Sequence, residues 1–182
     1  MVCGGHRLVH IRVKASRYIT HVKRLRLSCG PVRRLLVRAR GLAGRLGPIL
    51  FQLPPNFGPD EPRLERFLNQ LPLGRRYAME FRHQGWHRES VYRLLRRRGA
   101  ACCISDGTAI PLRMVRTAPC VYVRFHGRGG IGAGRYRSAE LRRWAERLRE
   151  LSAEGTTYVY FNNDQAGYAV EKATRLIDLL RE

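Results

Sequence analysis

The stretch Tyr77-Ala-Met-Glu-Phe-Arg-His83 indicates how this chain folds and where its functional groups lie. It begins with apolar residues typical of a buried strand and ends with a carboxylate, a guanidinium and an imidazole. Because side chains alternate along a strand, Glu80 and Arg82 should share one face of the sheet. His83 should lie on the other face, where we expect it to pack or to orient a neighbour.

The same pattern recurs at four other places, each an apolar run followed by charged or amide groups: residues 49–52, 101–106, 121–126 and 158–164. Helical stripes separate these runs, which gives six predicted strands and about five helices in strict alternation. Such alternation predicts βαβ units and a parallel sheet, either open and doubly wound or closed as a barrel. The polar groups would then meet at the carboxyl ends of the strands, where α/β folds keep their sites.

A full (β/α)₈ barrel needs eight units and typically about 250 residues. The 182 residues of this chain are about two units short. The last predicted helix should bury six apolar residues, namely Ala169, Val170, Ala173, Leu176, Ile177 and Leu180.

The formal net charge of +21 would attract nucleic acid or an anionic membrane surface. All but three of the 35 basic residues are arginine, however, and they are spread over the predicted helices. This bias is more typical of a GC-rich coding sequence than of a selected binding face. Nucleic acid is therefore a possible partner but not the favoured one.

Neither a bilayer-spanning apolar run nor a signal peptide is visible, so we expect a soluble, cytoplasmic protein without a membrane partner.

Five cysteines without a CxxC pair argue against a disulfide framework or a structural zinc site. Cys102 and Cys103 should act as small hydrophobes in a buried strand.

Several motifs together are similar to a known family: Lys14-Ala, Ile19-Thr-His21, Gly47-Pro-Ile-Leu-Phe-Gln-Leu-Pro-Pro55, Glu80-Phe-Arg-His83 with Trp86, Asp106, Tyr122-Val-Arg-Phe-His-Gly127 and Tyr160-Phe-Asn-Asn-Asp164. In this order and spacing they closely resemble the domain of unknown function 72 family, also called YecE-like proteins. The resemblance implies a TIM-type β/α barrel, but it brings no established reaction.

Members of that family begin with two further βα units, which residues 1–12 do not resemble. We therefore expect an irregular N-terminus over residues 1–12 and an incomplete TIM-type barrel of about six parallel units over residues 13–182. Either the start codon is misassigned or the chain is a fragment, and a fragment could lack independent activity.

Three strand-end residues are candidate catalytic groups. Glu80 and Asp106 end successive strands, so they could be neighbours that divide the roles of acid and base. His126 could shuttle protons near neutral pH. Arg82 and Arg124 could clamp a phosphate or carboxylate.

The remaining candidate ligand-binding residues are Lys14, His21, Gln52, Trp86, Asn163 and Asp164. Trp86 could instead belong to the core. The whole set could also be a structural ion-pair network without catalysis.

Glutamate, aspartate and histidine at strand ends can bind a divalent cation, but the adjacent lysine and arginines would repel one, so we predict no metal. The sequence identifies no cofactor.

The glycines at 127, 129 and 132 match a dinucleotide pattern, but the spacing to Ser138 and the lack of a suitable acidic residue count against it. The loop could hold phosphate together with Arg128 and Arg135, or it could be a mobile surface loop.

These patterns favour an enzyme of the hydrolase or isomerase type that acts on a small anionic or polyol-like ligand. The alternatives are a basic nucleic-acid-binding protein and a truncated chain without activity of its own. The oligomeric state is not predicted.

Overall fold

The computed structural model describes residues 10–26, 30–107, 109, 112–127, 136–162 and 167–182. Six strands run through these residues: β1 Ile11–Lys14, β2 Leu46–Leu53, β3 Tyr77–Phe81, β4 Ala100–Asp106, β5 Val121–Phe125 and β6 Thr157–Phe161. The helices are α1 Gly30–Arg40, α2 Glu61–Asn69, α3 Glu89–Arg97, α4 Ser138–Ala153 and α5 Tyr168–Arg181. Three single turns, Tyr18–Val22, Ala43–Arg45 and Gln84–Trp86, complete the described elements.

The strands form one parallel sheet in the order β1-β2-β3-β4-β5-β6, so neighbours along the chain are neighbours in space. The sheet curls strongly enough for side chains of its first and last strands to meet. The Arg12 guanidinium carbon lies 5.1 Å from the centroid of the Tyr160 ring. The predicted fold is thus confirmed as a curled half-barrel of six parallel strands.

Alternation along the strands sorts the core into an outer and an inner part. Odd-numbered residues of β2 and β3, among them Phe51 and Met79, are fully buried against the helices. Even-numbered residues of β2, β3, β5 and β6 line the concave face, where Ala78, Tyr122 and Tyr158 pack together; in β4 the odd-numbered residues do so. Each large apolar side chain that is fully buried contributes about 1.5–3 kcal/mol relative to an exposed one.

Helix α2 shows how local sequence fixes an element that supports the site. Asp60 precedes the helix, and its Oδ1 accepts a hydrogen bond from the backbone nitrogen of Arg63 at 3.0 Å. Pro62 occupies the first turn, where the missing N–H has no cost. Leu64 and Phe67 then face the sheet and are fully buried.

The expected burial of the last helix is only partly correct. Leu176 and Leu179 of α5 are buried, whereas Val170, Ile177 and Leu180 are 70%, 46% and 38% exposed. The reason is that α5 packs mainly against α4 and β6, so one side of its apolar stripe faces away from both. None of the helices in the described part of the chain is long and apolar enough to cross a lipid bilayer.

Candidate functional site

Glu80 is the centre of the polar network at the carboxyl ends of the strands. Its side chain is 1% exposed. Oε1 accepts hydrogen bonds from Gln52 Nε2 at 2.8 Å and from Arg82 Nε at 2.9 Å, and Oε2 accepts from Arg124 Nη1. The Glu80 carboxylate on β3 thus accepts from a residue on β2, from the residue directly after β3 and from a residue on β5. The parallel register explains this, because Gln52 lies directly opposite Glu80.

The network extends outward to both edges of the half-barrel. On the β1 side, Lys14 Nζ donates to Gln52 Oε1 at 2.9 Å. On the β6 side, Arg124 Nη2 donates to Asn162 Oδ1 at 2.7 Å. The candidate residues Lys14, Gln52, Glu80 and Arg124 are therefore brought together.

His126 is fully buried beneath Arg82 and beside Glu80. Its Nε2 lies 3.4 Å from Glu80 Oε1, and its Nδ1 lies 3.4 Å from Arg82 Nη2. With no exposed surface, the imidazole cannot meet a ligand in this conformation. The structure therefore gives His126 a position in the network but no open path to solvent.

The charges around Glu80 control its ionisation. Burial alone would raise the pKa of its carboxyl, but His126, Arg124 and Arg82 outweigh burial and hold the pKa well below its usual range. Glu80 is therefore a permanent anion at neutral pH and a poor proton donor. At the edge of the network, burial and then the charge of Arg124 lower the pKa of Lys14.

The structure places Asp106 on the other face of the sheet from Glu80, so it does not bring the two carboxylates together as the expected acid and base. In the register of β4 and β5, Ser105 lies opposite Arg124, and Asp106 is one position further along. One residue along a strand moves a side chain to the other face. Asp106 accordingly accepts a hydrogen bond from Trp144 Nε1 of α4 at 2.9 Å.

Trp86 also lies away from any ligand and belongs to the core. Its side chain is fully buried, stacks on Phe81 at 5.1 Å and donates a 2.7 Å hydrogen bond from Nε1 to the Phe57 carbonyl. His83 orients the turn that carries Trp86, because its Nδ1 accepts from the backbone nitrogen of Gly85 at 3.1 Å. The predicted ligand contact of Trp86 is therefore corrected, whereas the expected orienting role of His83 is found.

A cleft of about 660 Å³ opens above Gln52 and Arg82, between the segments that follow β1 and β2. Its polar lining consists of Arg17, His21, Arg24, Gln52, Asn56 and Arg82, and none of the described residues that line it is acidic. The Arg82 side chain is 17% exposed, so it links the buried network to the cleft. Such a lining attracts anions.

His21 is the candidate histidine that faces this cleft. Its Nδ1 lies 2.8 Å from Thr20 Oγ1. Partial burial and the nearby Arg17, Lys14 and Arg82 lower its pKa below the usual value. The imidazole is therefore mainly neutral at pH 7 and able to accept a proton.

The sequence did not single out Arg17, Arg24, Asn56 or Asn162. The first three lie in the segments after β1 and β2, so the rule that sites use loops at the carboxyl ends of strands could have identified them. Asn162 is the first residue after β6 and directly precedes the predicted ligand-binding residues Asn163 and Asp164.

Some predictions fall outside the residues that the structure describes. Asn163, Asp164 and residues 128–135, which include Arg128, Arg135 and most of the glycine loop, are among them. Across the described ranges, no group of three histidine, cysteine, aspartate or glutamate side chains is close enough to hold a metal ion.

Comparison with known proteins identifies the family. The UPF0759 protein YecE of Escherichia coli K12 is 28% identical over 191 aligned positions, which cover 90% of this chain and 69% of that protein. A DUF72 family protein from Thermotoga maritima superposes with a TM-score of 0.87 at 28% identity, over 95% of this chain and 74% of that one.

A DUF72 family protein from Enterococcus faecalis has the same fold, with a TM-score of 0.76 at 19% identity over 86% of this chain and 67% of that one. The family model described as "Protein of unknown function DUF72" matches residues 9–182. The chain therefore belongs to the DUF72 family.

Proposed function

We propose that this chain binds a small anionic ligand, such as a phosphate ester or a carboxylate, at the carboxyl ends of its strands. The observation that carries the proposal is the cleft of about 660 Å³ whose described lining includes Arg17, Arg24 and Arg82 but no carboxylate. Two or more guanidinium groups can bind one anion through several charge-assisted hydrogen bonds.

Glu80 supports this proposal as a structural anion rather than as a catalytic group. It is fully buried and accepts from Arg82 Nε, so it fixes the orientation of Arg82, whose side chain is 17% exposed and lines the cleft. Fixing the guanidinium in advance reduces the entropy lost when an anion binds.

The cleft also suits a ligand that carries hydroxyl groups. The amide of Asn56 lines it beside the basic groups, whereas the amide of Gln52 already donates to Glu80 and accepts from Lys14. An amide offers both a donor and an acceptor, which matches a hydroxyl. We therefore infer that the ligand combines an anionic end with a short polyol-like body.

Isothermal titration calorimetry with glycerol 3-phosphate, sulfate and glycerol tests this proposal. We expect glycerol 3-phosphate to bind most tightly and glycerol alone to bind weakly or not at all. Arg82→Gln should weaken glycerol 3-phosphate binding by about 10- to 100-fold, because a charged hydrogen bond contributes about 1.5–3 kcal/mol.

Two further variants make this test specific. Arg17→Gln removes a cleft charge without touching Glu80 and should weaken binding in the same direction. Arg143→Gln removes the same charge from the exposed side of α4 and should change the affinity less than twofold. Equal loss in Arg143→Gln and Arg82→Gln would contradict the proposal, because the effect would then follow net charge alone.

We further propose that the bound anion undergoes a reaction of the hydrolase or isomerase type, with His21 as the proton acceptor. This is supported by the position of His21 in the cleft lining and by its lowered pKa. Turnover of a panel of phosphorylated and carboxylated polyols can be followed by ³¹P and ¹³C NMR. His21→Asn should abolish turnover while ligand affinity stays within about threefold of the original. No turnover of any member by the original protein would contradict the enzymatic part of the proposal.

Nucleic-acid binding is a second candidate, favoured by the net charge of +21 and by exposed arginines of α1 such as Arg33, Arg34 and Arg38. Phosphate-backbone binding weakens steeply with salt. Fluorescence anisotropy with a labelled duplex should then show an affinity that falls steeply from 50 to 200 mM salt. Binding that does not respond to salt would argue against this candidate.

A further inference from the structure

We propose that the opposite end of the half-barrel carries a second binding site, which takes a small organic anion with an apolar body. The site is a cleft of about 330 Å³ at the amino ends of four strands. It touches Tyr77 and Ala100, which begin β3 and β4, and Cys120 and Thr156, which directly precede β5 and β6. It is therefore separated from the cleft at Arg82 by the length of the sheet.

Three arginines supply the positive charge of this amino-end cleft, namely Arg75, Arg76 and Arg98, and no carboxylate of the described residues lines it. Arg98 Nη2 donates to the Leu71 carbonyl at 3.1 Å. Arg76 Nη1 donates to Tyr158 Oη at 2.6 Å. Arg75 makes no hydrogen bond or ion pair with any other described residue, although it is half-buried. A half-buried guanidinium without a partner is a ready donor to an incoming anion.

Arg75, Arg98 and Tyr77 all line this cleft. Burial raises the pKa of Tyr77, and both guanidinium groups act on it in the opposite direction. The Tyr77 hydroxyl donates to the Pro72 carbonyl at 3.0 Å and, with its raised pKa, carries no negative charge that could serve as their counterion. The two cations therefore line one cleft whose described lining holds no carboxylate.

Most of the remaining lining is apolar, which sets the chemical class of the ligand. Leu71, Leu73 and Pro119 form walls of the cleft, and Leu73 is 77% exposed at its rim. Small-molecule sites typically combine apolar walls with a few polar groups, in volumes of about 300–1,000 Å³. A carboxylate on a compact ring or short alkyl chain fits this combination, whereas a bare inorganic ion would leave the walls unfilled.

Benzoate is a suitable probe, with benzamide as its uncharged isostere and inorganic phosphate as an anion without an apolar body. We expect calorimetry to give one benzoate per chain at this site, with benzamide and phosphate binding at least about tenfold more weakly. Arg75→Gln should weaken benzoate binding at least about tenfold. Arg143→Gln, with the same change of charge on α4, and Arg82→Gln, at the other cleft, should change it less than twofold.

A second measurement uses the unaltered protein and does not depend on any variant folding. Nuclear Overhauser effects from the benzoate ring protons should reach the methyl groups of Leu71 and Leu73. The proposal is overturned if benzoate does not bind, if benzamide binds equally well, or if the contacts fall elsewhere. Loss of benzoate binding in Arg82→Gln but not in Arg75→Gln would also overturn it, because the ligand would then occupy the other cleft.

Discussion

Replacing Glu80 by glutamine should destabilise the protein far more than the loss of one surface carboxylate. Glu80 and Arg124 have side chains that are 1% and 2% exposed, so their charges are shielded from water. The glutamine oxygen can still accept from Gln52 and Arg82. Its amide nitrogen, however, would face the Arg124 donor, and Arg124 would lose its buried counterion.

The size of the effect follows from this geometry. Breaking a buried ion pair by removing one partner costs about 3–5 kcal/mol, because an uncompensated charge stays inside. Arg82 can relieve part of the strain, since its side chain is 17% exposed and can turn toward solvent, but Arg124 cannot. For a protein of this size we expect the melting temperature of Glu80→Gln to fall by about 6–20 °C.

Urea unfolding followed by circular dichroism would measure the free energy of unfolding. Glu65→Gln is the matched control, because Glu65 pairs with Arg97 at 2.8 Å while its side chain is 49% exposed. The control should cost less than about 1 kcal/mol. If Glu80→Gln and Glu65→Gln differ by less than 1 kcal/mol, the reasoning about a buried, charge-dependent network is refuted.

Four further outcomes follow. Folding lowers the pKa of Glu80, so the ionised carboxylate stabilises the folded state above the unfolded pKa of 4.5, and this contribution is lost as the pH falls below 4.5. Urea unfolding between pH 6 and pH 3 should show that loss in the original protein and a smaller loss in Glu80→Gln. Trp86→Phe should lower the free energy of unfolding by about 1–3 kcal/mol, because the Phe57 carbonyl loses its hydrogen-bond donor. Anion affinity measured by calorimetry should not change, and a loss of affinity would show that Trp86 contacts the ligand. Asp106→Asn should likewise leave anion affinity within twofold, and a larger change would contradict its position on the outer face. The pKa of His21 lies below 6.5, so its imidazole gains a positive charge as the pH falls below 6.5. The affinity for sulfate should then rise about two- to fivefold, and this increase should be absent in His21→Gln.

The fold could be predicted from the sequence because its signals are local and repeated. Apolar runs such as that ending in Glu80 and the helical stripes between them give strict alternation, and parallel sheets follow from alternation. The position of Glu80 beside Arg82 and Gln52 also followed, since it depends only on side-chain alternation and on the common edge of parallel strands.

The parts that could not be predicted depend on register and on packing between elements. A shift of one residue decides whether Asp106 meets Arg124 or Trp144, and the sequence pattern of β4 does not specify it. The buried indole of Trp86 pairs with the Phe57 carbonyl, 29 positions away in sequence, and local sequence patterns do not predict such a contact. The charge on Glu80 likewise depends on which cations surround it, so a proton-donor role was plausible until His126 and Arg124 were located.

The central claim, that Arg82 links a buried anion to an anion-binding cleft, can be tested directly by ¹H–¹⁵N NMR of the unaltered protein. The Nε–H group of Arg82 should be observable, because its hydrogen bond to Glu80 slows exchange with water. On titration with glycerol 3-phosphate, its resonance should shift and saturate, whereas the corresponding resonance of Arg124 should move less. An Arg82 signal that does not move while glycerol 3-phosphate binds would contradict the account.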